Sequence, residues 1–209
     1  MDHVMDRQAE SSTGTRERLL DAALHVIRER GYGAASVDEV CRAAGVTKGS
    51  FFHHFKSKED MAVAAAAHFS DFARSIFDAA PYRSLDDPLD RVMGYLDFRA
   101  SILRGDLPEF TCFLGTMVQE AYRTHPAIRE ACERGIFGHA AEIAKDIEEA
   151  KRKYASDAQW SAEGLAHHTQ AVLQGAFILA KARGGPDVAI ECVRHLQRYF
   201  ELLFSPPTG

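Results

Sequence analysis

The chain has 209 residues, 46% of them apolar and 26% charged, with a net charge of −5. That is the profile of a soluble globular protein with enough material for one large domain or two small ones. No apolar run approaches the roughly 20 residues that cross a bilayer, and the opening MDHVMDRQAESSTGT lacks the basic-then-apolar order of a secretion signal, so a cytoplasmic location and no membrane partner are expected.

Residues 1–14 read as a disordered arm. Thr15 is a plausible N-cap for a first helix, in which Leu19, Ala23, Val26 and Ile27 recur at helical spacing until Gly31 ends it. Ser36-Val-Asp-Glu39 is a capping box that opens a short helix finishing near Ala44. Gly45 turns the chain into a third short helix reaching about Phe55, and Ser57-Lys-Glu-Asp60 opens a longer fourth. The segment Pro81–Pro88 interrupts the pattern. Helices then follow from Leu89 to about Gly105, from Pro108 to Tyr122, from Pro126 to about Tyr154, from Trp160 to Arg183, and from Pro186 to about Phe204. No alternating β pattern and no 20–50-residue repeat appears. The expected fold is all-α with about nine helices: a helix-turn-helix domain at 15–60 and a C-terminal helical domain at 61–209.

Two short helices joined through a glycine turn and preceded by a longer packing helix are the minimum of a DNA-reading helix-turn-helix. The third helix spans about 12 Å at 1.5 Å per residue, close to the width of a major groove. Net charge taken whole gives no support to nucleic-acid binding, but its distribution does. Between Cys41 and Lys58 there is no acidic residue, while Arg42, Lys48, Lys56 and Lys58 are basic and His53 and His54 add titratable donors. A local basic face is what displaces counterions from phosphate.

The runs TRERLLDAALHVIRERGY and ASVDEVCRAAGVTKGSFFHHFKSKEDM, between Thr15 and Met61, resemble the DNA-binding domain of TetR-type (tetracycline-repressor-like) regulators. The matching features are Ala44-Gly-Val-Thr-Lys-Gly49, Phe51-Phe52, His54-Phe55 and Ser57-Lys58-Glu59, over about a quarter of the chain. The resemblance implies that Thr47 contacts phosphate at the start of the recognition helix. It also implies that Lys48, Gly49 and Ser50 face base edges and that Lys58 anchors the DNA backbone. His53 and His54 lie beside them. The family usually has Tyr where this chain has Phe52, so a phenolic phosphate contact is missing, and His53 or Lys56 is the expected substitute. Phe51 and Phe55 are expected in the core.

The rest of the chain agrees with that family in length and helix number, which implies a homodimer through the last two helices, a double-stranded palindromic operator and a small-molecule effector. The candidate effector-pocket residues are Phe98, Ile102, Phe110, Cys112, Phe113, Met117, Tyr122, Phe137, Trp160 and Phe177. His125, His168 and Gln119 are the candidate polar contacts, and the implied ligand is small and apolar or aromatic. Ordinary core packing is the alternative for each apolar residue, and the weightier one. Cys112 lies near the place where some family members keep an electrophile-sensing cysteine; a helix N-terminus would lower its pKa, and a buried structural thiol is the alternative.

Cys41, Cys112, Cys132 and Cys192 are scattered without C-x-x-C spacing, so neither structural zinc nor a disulfide framework is expected. There is no phosphate loop, G-x-S-x-G or H-E-x-x-H, and the pairs His53-His54 and His167-His168 point to different sides of a helix. No enzyme activity, metal or cofactor is expected. The remaining alternative is a helical interaction protein that no longer reads DNA.

Overall fold

A computed structural model describes the backbone of residues 2–205 and the side chains of residues 14–205. Among the described residues there are ten α-helices, one 3-10 turn and no strand. The helices are α1 (Asp2–Arg30), α2 (Val37–Ala44), α3 (Lys48–His54), α4 (Lys58–Asp78), α5 (Pro88–Ser101), α6 (Leu107–Phe110), α7 (Phe113–Ala121), α8 (Pro126–Tyr154), α9 (Ala162–Arg183) and α10 (Asp187–Phe204). The 3-10 turn is Pro81–Ser84.

Two features differ from the sequence expectation. The arm expected at 1–14 falls mainly on residues whose side chains are outside the described set, but the backbone is helical from Asp2, so α1 begins ahead of Thr15. The helix expected from Pro108 to Tyr122 is divided. Thr111 adopts an extended backbone, which ends α6 after one turn, and its hydroxyl donates to the Leu107 carbonyl at 2.7 Å. α7 then starts at Phe113, so Cys112 is the residue before a helix rather than one inside it.

The chain forms two compact units, one holding the residues up to Phe72 together with Phe113–Gly135, the other holding Ala73–Cys112 and the residues from Ile136 onward. In the first, the α1 stripe of Leu19, Ala23, Val26 and Ile27 is buried, as are Val40 and Cys41 of α2, Phe51 of α3, and Phe55. Met61, Ala62 and Ala65 of α4 complete this apolar set. Two glycine positions are constrained by φ. Gly45, at φ +64°, is the left-handed C-cap of α2. Gly31, at φ +86°, closes α1, and a Cβ there would lie 2.1 Å from the Glu120 carboxylate. That carboxylate instead accepts from the Gly33 amide at 2.7 Å, tying the chain after α1 to α7.

The second unit has two apolar clusters. One gathers Phe77, Tyr82, Tyr95, Leu96, Ile147, Leu165, Phe200 and Phe204; the other gathers Leu103, Leu173, Phe177 and Val193. Charged groups ring the first. Arg91 bonds to Asp146 at 2.7 Å and to Glu149, and Arg83 pairs with Asp146 at 3.3 Å. Asp87 caps α5 through the Leu89 amide and also accepts from Lys153 at 2.6 Å and from Tyr154. Those bonds, the one from Lys153 foremost, hold its carboxyl well below the usual carboxylate range.

His139 gives this unit a pH dependence. Burial, reinforced by the cations Arg99 and Arg83, pushes its pKa down to about 3. An unfolded histidine titrates near about 6.5, so between those values the unfolded chain binds more protons and stability rises with pH. The contribution of His139 is therefore fully present above about 6.5 and is lost as pH falls toward 3, with a limiting slope of about 1.4 kcal/mol per pH unit for one proton. Thermal unfolding followed from pH 7 to pH 4.5 should show the midpoint falling on acidification, and His139→Gln should make that fall shallower. An unchanged profile in the variant would count against a buried neutral imidazole.

Candidate nucleic-acid interface

The helix-turn-helix is built by caps at both ends of its turn. The Ser36 hydroxyl accepts from the Glu39 amide, and the Glu39 carboxylate accepts from the Ser36 amide at 2.9 Å, which sets the start of α2. These bonds to Ser36 lower the Glu39 pKa. Arg30 pairs with the same carboxylate at 2.6 Å, joining the end of α1 to α2. Gly45 ends α2, its amide donating back to Arg42, and Thr47 then caps α3 by accepting from the Ser50 amide at 3.2 Å. The Thr47 hydroxyl keeps its own proton for a further acceptor.

α3 has seven residues and buries one side of itself. Phe51 is fully buried, Phe55 nearly so, and their rings lie 5.5 Å apart. The opposite side presents Lys48, Gly49, Phe52 and His53 to solvent, with Ser50 and His54 half-buried. Phe52 is 52% exposed although it is one of the largest apolar side chains in the chain. Gly49 has no internal reason to be glycine. A Cβ added there meets only the Thr47 hydroxyl, at an ordinary 3.8 Å. Glycine inside a helix costs about 1 kcal/mol relative to alanine. The fold would thus tolerate a side chain here, on the face that α3 turns to solvent.

The sequence-selected residues have distinct environments. Lys48 is exposed and reaches back to Asp38 on α2 at 3.0 Å, a surface pair that water and salt screen. His53 and Lys56 are exposed. Burial, with the neighbouring His53 and Arg16 charges, lowers the His54 pKa. Lys58 is more enclosed than its expected anchoring role suggests. Its ammonium sits 4.4 Å from the Tyr32 ring centre and donates to the Gly33 carbonyl at 3.3 Å, and burial lowers its pKa. Reasoning from sequence missed the partners that set these positions: Asp38, Tyr32 and Glu120. Asp38 was legible in retrospect, as an acidic residue in the first turn of α2, but its reach to Lys48 depends on the geometry of the turn. Tyr32, Lys58, Glu120 and His125 also line a shallow groove of about 540 Å³ within the same unit.

The residues selected for an effector pocket do not form one set. Phe113, Met117, Tyr122 and His125 belong to the same compact unit as the helix-turn-helix. Phe113 and Met117 have no exposure, Tyr122 is 54% exposed, and His125 stacks edgewise on Tyr32 at 5.1 Å. Gln119, also there, donates to the Gly115 carbonyl at 2.8 Å. The other eight lie in the second unit. Phe98, Ile102 and Trp160 pack on its first cluster, while Phe177 belongs to the second, against which Phe110 and Cys112 pack. Phe137 and His168 are exposed, ring to ring with His167 and Tyr199. None of the four cysteines forms a disulfide; Cys41 and Cys132 are buried, Cys112 and Cys192 half-buried.

Comparison with known proteins supports the same assignment. The family described as "Bacterial regulatory proteins, tetR family" matches residues 19–65, and "Tetracyclin repressor-like, C-terminal domain" matches residues 88–196, more than half of the chain. The transcriptional regulator AcuR of Cereibacter sphaeroides is 25% identical over 194 residues, which cover 93% of this chain and 89% of that protein. The HTH-type transcriptional repressor KstR2 of Mycobacterium tuberculosis is 38% identical over 96 residues, 43% of this chain and 44% of its own length. The crystal structure of regulatory protein TetR from Rhodobacter sphaeroides superimposes with a TM-score of 0.77 at 26% identity, over 88% of this chain and 97% of that one. No helix among the described residues is long and apolar enough to cross a membrane. With a capped helix-turn-helix that presents a basic, solvent-facing helix, and family matches over both parts of the chain, this protein belongs to the TetR family of DNA-binding transcriptional regulators.

Proposed function

We propose that the chain is a repressor that binds a palindromic operator as a homodimer and leaves it when a small molecule binds the second compact unit. The observation that carries the DNA-reading part is the solvent face of α3, where Gly49 leaves the helix backbone open between Lys48 and Phe52. Lys48, Gly49 and Ser50 meet base edges in this reading, and Thr47, His53 and Lys56 meet phosphate. Phe52 supplies apolar contact where a tyrosine is usual, His54 acts as a donor, and Lys58 steadies the turn through Tyr32 as much as it reaches DNA. Repression is the simplest outcome for a ligand-sensitive DNA binder and matches what the similar KstR2 is named for.

Dimerisation through α9 and α10 is supported by apolar side chains that those two helices leave uncovered. Ile178, Leu179 and Tyr199 are 43–50% exposed and Leu202 is 75% exposed. A patch of that kind on a pair of packed helices suits burial against its own copy about a two-fold axis.

Lys48→Ala and Thr47→Ala are each expected to weaken operator binding about tenfold, the scale of one charged or capping contact, with no change in dimer mass. A gel shift on DNA from the chain's own promoter region, read beside light scattering, checks both. Full affinity in both variants would remove α3 as the reading helix.

A further inference from the structure

Resting on the reading of the second unit as the effector-binding part, we propose that Arg99, with Tyr95, Gln170 and His139 beside it, receives a small organic monocarboxylate whose apolar body lies against Phe77, Phe98 and Phe177.

The arginines of this unit are treated unequally. Arg91 is matched by Asp146 and Glu149, and Arg83 by Asp146 and Asp78. Arg99, on α5, has no carboxylate partner among the described residues. Its guanidinium lies 5.2 Å from the Phe77 ring centre and 5.8 Å from that of Phe177, and its Nε is buried without a hydrogen-bond partner. Enclosing a cation against apolar rings with no counter-ion is costly, and an arriving anion removes that cost.

A second, independent feature points to the same place. Gln170 on α9 is 8% exposed, and its Nε2 has no partner at close hydrogen-bond distance, leaning only toward the phenol of Tyr95. Both groups adjoin the phenol of Tyr95, whose pKa burial raises and whose neighbours Arg99 and Gln170 pull it back. Tyr95 stands one helical turn before Arg99 and bonds to His139 Nε2 at 3.1 Å. The under-bonded groups here are thus N–H donors, which suits a ligand that accepts. A carboxylate does so, and the planar guanidinium matches it with two parallel bonds.

The charge balance selects a monoanion. His139 is neutral here, and the charge of Arg83 is answered by its own carboxylates, so Arg99 is the one uncompensated cation among these groups. The ring walls select a ligand with a hydrocarbon body. Phe98 lies 5.6 Å from Phe77 and 6.0 Å from Tyr82, extending the aromatic surface that Phe77 presents to Arg99.

The test uses the full chain, with benzoate and the straight-chain acids from propionate to octanoate as probes, each paired with its amide. Calorimetric titration should show at least one acid binding about tenfold or more tightly than its amide, since the charge-assisted bonds vanish in the neutral isostere. Arg99→Gln should lose about tenfold or more of that affinity while its binding to promoter DNA stays unchanged. Gln170→Leu should lose less, about threefold to tenfold. Arg99→Lys, which keeps the charge but not the two-pronged geometry, should be intermediate and covers the case in which the glutamine variant folds poorly. Equal binding of acid and amide, full affinity in Arg99→Gln, or no acid bound by a chain that shifts its promoter DNA would each overturn the proposal. Failure of the unliganded chain to bind that DNA would instead count against the regulator reading on which it rests.

Discussion

Gly49→Leu should abolish operator binding and leave the protein folded, or make it slightly more stable. The two effects have separate causes. Inside the molecule the new side chain has room, since even its Cβ meets nothing closer than the Thr47 hydroxyl at 3.8 Å. Exchanging a helical glycine for leucine favours the helix by up to about 1 kcal/mol. Outside, the added branch stands on the face that α3 presents, between the side chains of Lys48 and Phe52. It would lift the helix from the groove floor and break several base contacts together, each worth about 1–3 kcal/mol, so the loss should be at least about a hundredfold. Fluorescence anisotropy with labelled promoter DNA reads the binding, and a thermal melt reads the fold. Gly49→Ala should fall between the two. Unaltered affinity in the leucine variant would mean that this face does not approach DNA.

Phe51→Ala should have the largest effect on stability. Phe51 is fully buried, edge-on to Phe52 at 5.2 Å and tilted against Phe55 at 5.5 Å, and it is the one buried residue within α3. Removing a buried phenyl ring costs about 3–5 kcal/mol through lost transfer energy and the cavity left behind. A helix of seven residues cannot hold itself together in water, so that loss falls on the helix proposed to read DNA. Denaturant unfolding should show it, and Phe51→Leu should recover most of it. A cost below about 1 kcal/mol would mean that α3 is held by something other than this ring.

Much of this architecture was legible before any coordinates. The capping box at Ser36 and the turn at Gly45 are local devices, decided by residues within four positions of one another, and the sequence states them openly; the Thr47 cap of α3 came from the structure. The burial of Phe51 and Phe55 against an exposed Phe52 follows from helical phase. Two local features were harder. α6 ends where the Thr111 backbone turns extended, a break that apolar periodicity does not reveal. α1 begins at Asp2 although the polar opening suggested an arm.

The second unit was the least legible. Aromatic residues were chosen there because they are apolar, yet Phe98, Trp160 and Phe177 pack into two separate clusters. The groups that single out a binding place are polar and come from α5, α8 and α9, far apart in sequence. Nothing local marks Arg99 as unpaired while Arg91, two turns earlier, has two carboxylates; that depends on where Asp146 and Glu149 fall. His139 likewise looked like one histidine among ten, and only burial makes it neutral.

The central claim is that this chain reads DNA through the solvent face of α3. The most direct measurement is a titration of DNA from its own promoter region with wild-type and Gly49→Leu protein, at several salt concentrations and against unrelated competitor DNA. The account predicts that the wild type binds its promoter at least about a thousandfold more tightly than the competitor, with affinity falling steeply as salt rises. It also predicts that the variant, equally folded, keeps only the weak sequence-independent binding. Equal affinity for both DNAs in the wild type, or an unchanged preference in the variant, would contradict it.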